Sequence, residues 1–338
     1  MIYIIVLNWN GAADTIACAE SVLALEGIRF QLVICDNASA DNSMATLKQW
    51  ASGLPPGLRE TSRLIELSND PASWRRETHP EGSVVLIQTG ANLGYAGGNN
   101  VGIRYAMSQR NVDYVWILNN DTTVTPRALS TLISKAERDP DYGIIGSTLL
   151  YFYRPQYVQV LAGCRFSAWT TQIAPLGEGQ FAVDVTNLPE SEKAVEAQLD
   201  YVTGAAMLIR KAFIEDVGLM AEDYFLYCEE IDWAERGRRS PNRRWKLGFA
   251  SESLVLHKVG ASAETGVSTS AIIFFYTSKL RYMKRFYPSR YPWVFLMIAL
   301  QGIKKIFNNQ PDQGRAVFHA MKTFDSRFPT VAKIKAPI

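Results

Sequence analysis

Residues 113–125, DYVWILNNDTTVT, form a short apolar run that ends at a polar triplet, Asn119, Asn120 and Asp121. Residues 115–118 have the length and composition of a buried strand bounded by turn residues, so the triplet is predicted at the carboxyl end of that strand. Open α/β sheets bind their ligands at this end. One carboxylate and two amides fixed there could hold Mg2+ and a phosphate group, since Mg2+ prefers oxygen ligands. The same residue types are common in ordinary turns, so both explanations stay open.

A helix is predicted directly after the triplet. Thr125 is expected as its N-cap and Pro126 as its first-turn proline. Apolar residues then recur at helical spacing at Ala128, Leu129, Leu132, Ile133 and Ala136. The triplet would therefore lie in a tight connection between two rigid elements.

Three apolar runs upstream also end in polar turns. They are residues 2–7 before Asn8, Asn10 and Gly11, residues 30–35 before Asp36, and residues 83–88 before a cluster rich in Gly and Asn at 90–100. Helices are expected after the first two turns, capped by Asp14 or Thr15 and by Ser39 or Asp41. Strands that alternate with helices predict a parallel sheet, whose carboxyl ends share one edge. Four polar strand ends at one edge favour a ligand site over four unrelated turns.

The cluster at 90–100, GANLGYAGGNN, opens a predicted helix that carries Val101, Tyr105 and Ala106. Small residues and free amides at a helix start can approach a phosphate closely and donate hydrogen bonds to it. Close packing of a turn explains the same glycines equally well. The spacing matches neither G-x-G-x-x-G nor G-x-x-x-x-G-K-[ST], so neither of these two phosphate-binding motifs is present.

The regular alternation weakens after the triplet. We predict a strand at 143–153, a loose connection at 176–198, a strand at 199–210, a helix over Lys211–Val217 and one or two short strands at 247–256. Small residues at 203–206 indicate close approach of a ligand or of another backbone. Residues 52–82 have no clean period and are predicted as a loop or insertion with little regular structure.

Three carboxylates, Glu229, Glu230 and Asp232, lie within four residues at the end of an apolar run. In the first turn of a helix they would be stabilised by the helix dipole, which is the ordinary explanation of a solvated acidic helix start. Crowding and partial burial would instead raise the pKa of one carboxyl and make it suitable as a general base. His257, at the end of the last predicted strand, is either a structural residue or a ligand.

Composition excludes several classes of protein. An apolar content of 47% supports a real core, and a formal charge of +2 implies no strong attraction to nucleic acid. The four cysteines lie far apart, which argues against a disulfide framework and a thiolate metal site and favours a reducing cytosol. The apolar residues at the amino terminus are expected to form a strand, not a signal, and no segment has the length to span a bilayer.

Residues 265–311 contain no acidic residue, while basic residues flank aromatic and aliphatic helix faces. Such a segment could bind a membrane surface, because burial among acyl chains and attraction to anionic lipids add together. A helix pair packed on the domain, with its lysines in solvent, accounts for the same pattern.

Taken together, the motifs resemble the inverting family 2 glycosyltransferases with the GT-A fold, and most closely their rhamnosyltransferase-like branch. The resemblance covers about residues 1–290, in the order of the family. The blocks that carry it are VLNWNG at 6–11, ICDNASAD at 34–41, GANLGYAGGNNVGIRYA at 90–106, WILNNDT at 116–122, the stretch at 202–233 and VLHKVGAS at 255–262. It implies a Rossmann-like, mostly parallel sheet flanked by helices, with a nucleotide-sugar half at 1–125, an acceptor half at 126–264 and a helical extension at 265–338.

The resemblance also implies a donor site. Asp36 would contact the nucleotide base or ribose, and Asp121 would bind the Mg2+ or Mn2+ that bridges the donor diphosphate, with His257 as a further ligand. Asn119 stands where the family's first acidic residue is found, which leaves Asp121 as the only carboxylate of that motif. The other implied donor-binding residues are Asn8, Asn10, Gly11, Asn92, Gly94, Gly97, Asn100, Asn119 and Asn120.

Glu230 stands where the family has the aspartate of its catalytic Glu-Asp pair, so the base is expected among Glu230, Glu229 and Asp232, in that order. The implied reaction is transfer of a sugar, with rhamnose from dTDP-rhamnose as the first expectation, to a cell-surface glycan or a polyprenyl-linked glycan with inversion. The expected setting is the cytoplasm or the inner face of the cytoplasmic membrane, and oligomerisation stays open. An inactive nucleotide- or glycan-binding module and a nucleotidyltransferase are the alternatives.

Overall fold

The structure is a computed structural model that describes residues 1–54, 64–74, 83–185, 189–258 and 268–325. Over these ranges a mixed sheet of ten strands is flanked by helices, with a second sheet of three strands beside it. The strands are β1 (Ile2–Asn8), β2 (Phe30–Asp36), β3 (Leu64–Ser68), β4 (Val84–Gln88), β5 (Tyr114–Asn119), β6 (Thr122–Val124), β7 (Tyr142–Tyr151), β8 (Arg154–Leu161), β9 (Gly163–Phe166), β10 (Ile173–Pro175), β11 (Tyr201–Val202), β12 (Ala206–Arg210) and β13 (Lys246–His257). The α-helices are α1 (Ala12–Leu23), α2 (Ser43–Ser52), α3 (Gly94–Ser108), α4 (Ala128–Arg138), α5 (Ala182–Val185), α6 (Pro189–Glu196), α7 (Lys211–Val217), α8 (Glu229–Arg238), α9 (Thr269–Phe286), α10 (Tyr291–Phe307) and α11 (Pro311–Thr323).

The first half of the large sheet is parallel, in the order β3-β4-β2-β1-β5, which confirms the prediction. Its central strands are continuous apolar runs because helices cover both faces of the sheet. The register pairs Asn8 with Asp36 and Leu7 with Asn119. The polar turns after these strands therefore meet at one edge, as expected.

The second half of the sheet is mixed. β12 pairs antiparallel with both β5 and β7, whereas β13 pairs parallel with β7 and antiparallel with β6. The β6–β13 pair sets His257 opposite Thr122. Two segments that are far apart in sequence are thereby joined beside the polar triplet.

The predicted helix caps were wrong. α4 begins at Ala128 with Arg127 at the cap position, because the Thr125 hydroxyl donates to the Leu254 carbonyl of β13. α1 likewise begins after Gly11, since the Thr15 hydroxyl donates to Asn8 and Asp14 pairs with Lys258.

α2 begins at Ser43 after Asn42, so neither Ser39 nor Asp41 is its N-cap. Asp41 does accept a hydrogen bond from the Ser43 amide, at 2.9 Å. The side chains predicted as caps are thus used mainly to join neighbouring segments, and a local capping rule does not foresee such partners.

The structure corrects four segments. Residues 52–82 contain the half-buried edge strand β3 and a single 3-10 turn at Pro71–Ser73, while 55–63 and 75–82 lie outside the described residues. The connection at 176–198 contains α5 and α6, and α6 is fixed to α4 by Glu192 and Glu196 on either side of buried Lys135. The strand expected at 199–210 is divided into β11 and β12. The one or two short strands expected at 247–256 form one long strand, β13, whose register with β7 shifts after Ala250.

The core lies on both faces of the large sheet. α3 packs close to the strands because Gly98 and Gly102 have no side chains; a Cβ on Gly98 would lie 2.5 Å from Leu7. Residues of α9, α10 and α11, such as Leu280 and Ile298, belong to the same apolar cluster as β1 and α4. The boundary expected at 264/265 lies among residues 259–267, outside the described residues.

Candidate active site

The Asp36 carboxylate is fully buried at the carboxyl end of β2. It accepts hydrogen bonds from the Asn8 amide at 2.7 Å, the Ser39 hydroxyl at 2.6 Å, the Ser39 backbone N–H at 3.1 Å and the Gln88 amide at 2.9 Å. These bonds join the ends of β1, β2 and β4. Asp36 thus supports the turn that the sequence predicts to bind the nucleotide, and its own oxygens are engaged within the protein.

Residues 9–11 form the exposed part of this turn. Asn10 has a positive φ of 52°, and its side-chain oxygen accepts from the Ala40 N–H at 2.7 Å. Gly11 leaves room for Asn120, since a Cβ there would lie 2.7 Å from Asn120 Nδ2. Trp9 exposes 55% of its surface beside them. Sequence reasoning did not single out Trp9, which presents the largest ring surface at this end of β1.

The cluster at 90–100 joins the sheet to the segment that precedes α8. Asn92 accepts from the Gly94 N–H and from the Asn37 amide, each at 3.0 Å. Gly94 has a φ of 70°, and a Cβ there would lie 2.1 Å from the Phe225 carbonyl, which accepts from the Tyr95 N–H at 2.9 Å. Glycine is therefore required at position 94 both for the backbone angle and for the close approach.

Two further residues predicted to bind the donor, Asn100 and Gly97, are buried within α3. Asn100 is fully buried, and its amide donates to the Met220 carbonyl and to Glu222, each at 2.9 Å. Gly97 faces Leu93 of the preceding turn, with a virtual Cβ 2.7 Å from the Leu93 Cβ. In this structure both residues hold α3 in place.

Asp121 and His257 meet at the end of β5. Oδ1 of Asp121 lies 3.2 Å from Nε2 of His257, and both side chains are partly exposed, by 17% and 13%. Nδ1 of His257 lies 2.9 Å from Oε1 of Gln159 in β8. Either a proton on Nε2 or a metal ion bound between Nε2 and Oδ1 would make this contact favourable.

A divalent metal fits these two atoms. Ligands at right angles, each about 2.1 Å from an octahedral metal, lie about 3 Å apart, which agrees with the observed separation. Gln159 supplies the partner that usually orients a metal-binding histidine. Among the described residues no group of three or more His, Cys, Asp or Glu side chains could hold a metal ion. The remaining ligands would therefore be water and ligand oxygens.

The three acidic residues at the start of α8 occupy different environments. Asp232 is fully buried and lies 2.6 Å from Nε of Arg236 and 2.5 Å from Nη1 of Arg285. Glu229 is 1% exposed, and its Oε2 is buried without a hydrogen-bond partner. Glu230 alone among the three is partly exposed. The expectation that all three lie in the first helical turn is confirmed.

Glu230 lies against Gly204, in the segment of small residues between β11 and β12. A Cβ on Gly204 would lie 2.5 Å from Oε1 of Glu230, and the Tyr95 hydroxyl donates to the Gly204 carbonyl at 2.6 Å. Gly204 thus makes room for the side chains of Glu230 and Tyr95, whereas the sequence predicts close approach of a ligand or of another backbone at 203–206. Burial raises the pKa of Glu230, and a backbone hydrogen bond from Gly204 partly opposes this shift. Burial, followed by the charge of Glu230, raises the pKa of Glu229 well above its usual value.

The turn before this pair is strained. Tyr227 and Cys228 both have a φ of 70°, a conformation that costs a residue other than glycine about 1–3 kcal/mol. α9 holds the turn: the Ser278 hydroxyl donates to the Leu226 carbonyl at 2.8 Å, and the Phe275 ring packs edge-on against Tyr227. Strain maintained by surrounding contacts is common at functional sites.

A separate open cavity of about 790 Å³ lies at the other edge of the sheet, where β1 and β5 begin. It is lined by Met1, Asn111, Asp113 and Arg210 among others. Because the polar turns lie at the carboxyl ends of these strands, this cavity is no part of the candidate active site.

Comparison with known proteins agrees with this architecture. The family model described as "Glycosyl transferase family 2" matches residues 74–161. The chain is 24% identical over 209 residues to the low-salt glycan biosynthesis hexosyltransferase Agl10 of Haloferax volcanii, covering 61% of each protein. It is 26% identical over 188 residues to the N-acetylglucosaminyl-diphospho-decaprenol L-rhamnosyltransferase of Mycobacterium tuberculosis, covering 52% of this chain and 59% of that protein. The chain thus spans about three fifths of the length of these relatives.

Solved structures share the fold at low sequence identity. The mannosyltransferase PcManGT of Pyrobaculum calidifontis in complex with GDP-Man and Mn2+ aligns with a TM-score of 0.53 and 11% identity, covering 96% of this chain and 88% of that one. GalNAc-T7 with UDP, GalNAc and Mn2+ aligns with a TM-score of 0.59 and 12% identity, covering 96% and 55%. Together, these comparisons show that the chain has a GT-A fold and that it is similar in sequence to glycosyl transferase family 2.

Proposed function

We propose that this protein is an inverting glycosyltransferase that moves a hexose from a nucleotide sugar to an acceptor hydroxyl, with Glu230 as the base. One connected set of contacts carries the proposal. The Asn119 N–H donates to the Ala205 carbonyl at 3.0 Å, and the adjacent Gly204 packs against Glu230, since a Cβ on Gly204 would lie 2.5 Å from Oε1 of Glu230. Glu230, which is less buried than Glu229 and Asp232, is therefore linked to the strand end that also carries Asp121.

Glu230 is better suited to act as the base than its neighbours. Asp232 is neutralised by two guanidinium groups, and Glu229 is shielded from solvent. A carboxyl whose pKa is raised by burial takes up a proton more readily at neutral pH than an ordinary one. Glu230 would accept the proton of the acceptor hydroxyl. The oxygen of that hydroxyl would attack the anomeric carbon from the side opposite the leaving group. Attack from that side inverts the configuration of the anomeric carbon.

Asp121 and His257 would hold Mg2+ or Mn2+, with Gln159 orienting the histidine. When bound, the metal would neutralise the negative charge that develops on the departing nucleotide diphosphate. The solved relatives that contain Mn2+ and a nucleotide or nucleotide sugar support this assignment. Residues 9–11 and 92–93 would line the donor, while the buried residues Asn8, Asp36, Gly94 and Asn100 support those loops.

The proposed donor is dTDP-rhamnose and the proposed acceptor a cell-surface or polyprenyl-linked glycan. The mycobacterial relative, named as a rhamnosyltransferase that acts on a diphospho-decaprenol, supports both. Such an acceptor would place the protein at the inner face of the cytoplasmic membrane. Within the described ranges, no helix is long and apolar enough to cross a bilayer.

The proposal is tested with a panel of nucleotide sugars, each added to the purified protein with and without Mn2+. A true donor should raise the melting temperature in a metal-dependent way, because it binds only the folded state. The same donor should then be hydrolysed slowly or transferred to a lipid-linked sugar, with inversion detected by NMR of the product. Donor binding with neither hydrolysis nor transfer on any acceptor tested would favour the inactive binding module.

A further inference from the structure

The outward face of α10 is apolar, although it is exposed to solvent. α10 buries Val294, Ile298 and Gly302 against the rest of the protein. Its opposite face, here called the outer stripe, consists of Trp293, Leu296, Leu300, Ile303 and Phe307, which are exposed by 49%, 51%, 52%, 42% and 82%. A helix on the surface of a soluble protein normally places polar residues there, and a continuous apolar stripe indicates a face that another phase or molecule covers.

A second tryptophan extends the outer stripe at the start of α10. Trp169, exposed by 59%, accepts a hydrogen bond at its carbonyl from the Trp293 indole at 3.2 Å. The Arg290 guanidinium lies 4.4 Å from the centre of the Trp169 ring. Tryptophan rings beside a basic residue are typical of protein surfaces that lie at the level of lipid headgroups.

The charge around the outer stripe is basic. Residues 268–311 contain no aspartate or glutamate. Arg290 stands at one end of the stripe, and exposed Lys304 lies one helical turn after Leu300 at the other. Anionic lipids attract such residues and also accept the apolar side chains between them.

We propose that the outer stripe binds the surface of an anionic lipid bilayer, with α10 lying in the plane of the membrane. Seventeen residues make a helix of about 25 Å, enough to lie along the surface. A second copy of the chain fits less well, because antiparallel stripes would bring Lys304 of one copy near Arg290 of the other with no acidic residue of this segment to neutralise them.

Helix α9 connects the outer stripe to the turn that precedes the proposed base. The hydroxyl of Tyr276 in α9 donates to Gln301 of α10 at 3.0 Å, and α9 holds the strained turn before Glu229 through Ser278. This step rests on the proposed function. Binding of the outer stripe to a bilayer would bring the acceptor half to the membrane, where a lipid-linked sugar presents its hydroxyl.

The test is flotation of the full chain with vesicles of phosphatidylcholine alone or with added phosphatidylglycerol. The wild type should float with the anionic vesicles, and binding should fall as salt rises. Leu300→Ser should lower the partition coefficient about tenfold, since the leucine leaves water on binding. Lys304→Gln should weaken binding to anionic vesicles only. Val183→Ser, which changes an exposed apolar residue on α5, is the matched control and should bind as the wild type does.

Equal flotation of the wild type and Leu300→Ser, or no flotation of either, would overturn the inference. So would a wild-type dimer that Leu300→Ser dissociates in analytical ultracentrifugation, because the stripe would then be an interface between copies. Donor binding is measured on the same samples by thermal shift. Donor binding without flotation rejects the lipid surface alone, whereas flotation without binding of any donor rejects the proposed function alone.

Discussion

Arg285 of α9 lies 2.5 Å from Oδ2 of Asp232 in the first turn of α8, and this carboxylate is fully buried. A residue of the C-terminal extension thus neutralises a charge two residues away from Glu230. Arg285 also pairs with Asp223, in the segment that leads into α8. The extension therefore helps to hold the helix that begins with the proposed base, Glu230, in place.

Arg285→Met should destabilise the protein by about 2 kcal/mol, since it leaves a buried carboxylate with Arg236 as its remaining ion-pair partner. Transfer should fall more than donor binding, because the first turn of α8 moves while the donor loops stay. Urea unfolding and steady-state kinetics measure the two effects. Arg315→Met, which removes an exposed ion pair with Asp312, is the matched control and should change neither.

Glu230→Gln should lower kcat about 100-fold or more while donor affinity stays within about twofold, because the amide cannot accept the proton. Glu252→Gln, at an exposed position of β13, is the control and should keep full activity. Near-normal turnover of Glu230→Gln would reject Glu230 as the base. Loss of donor binding together with turnover would instead indicate a folding defect.

Activity should rise with pH as Glu230 loses its proton, with the midpoint above the usual glutamate value because burial raises its pKa. The residual activity of Glu230→Gln should lack this rise. A pH profile of kcat/KM for both proteins checks the prediction. A midpoint at or below the ordinary glutamate value in the wild type would contradict it.

Glu229→Gln should stabilise the protein, and the gain should grow as pH rises. Burial raises the pKa of Glu229 in the folded state above its value in the unfolded state. The free energy of unfolding is therefore highest below the unfolded-state pKa, and it falls as pH rises through the folded-state pKa. A neutral amide removes this loss. The free energies of unfolding of Glu229→Gln and the wild type should differ increasingly as pH rises above the pKa of an unfolded glutamate. The free energy of unfolding of Glu252→Gln should depend on pH as that of the wild type does.

Asp121→Asn should abolish the Mn2+-dependent part of donor binding, because the carboxylate is the only charged oxygen ligand proposed from the protein. Gln159→Leu should weaken metal affinity about tenfold by freeing the His257 ring. Mn2+ titrations at fixed donor concentration, followed by thermal shift, measure both. Asp312→Asn on α11 serves as the control, and an unchanged Mn2+ dependence in Asp121→Asn would refute the metal assignment.

Gly94→Ala should be more destabilising than Gly90→Ala. Both glycines have a positive φ, 70° and 83°, which costs an alanine about 1–2 kcal/mol. A methyl group on Gly90 meets nothing within 4 Å, whereas one on Gly94 would lie 2.1 Å from the Phe225 carbonyl. Urea unfolding of the two variants separates the cost of the backbone angle from that of the contact. Equal losses of unfolding free energy would show that the Phe225 carbonyl moves aside at no cost.

The sequence by itself determined the parallel half of the sheet and its polar edge. Apolar runs such as residues 2–7 and 115–118 specify buried strands through local composition, and the turns after them are polar because the chain must reverse there. The helix over Lys211–Val217 and the acidic start of α8 follow from equally local patterns. These features depend on residues that are close together in the chain.

Only the tertiary structure decided which of the polar residues meet. The contact of His257 with Asp121, the engagement of Asp36 within the protein and the close approach of Glu230 to Gly204 each join residues from different strands or helices. The same holds for Thr125, whose partner in β13 replaced a predicted cap. A local pattern sets which face of an element is buried, but the pairing of strands and the packing of α9 set which side chain lies opposite.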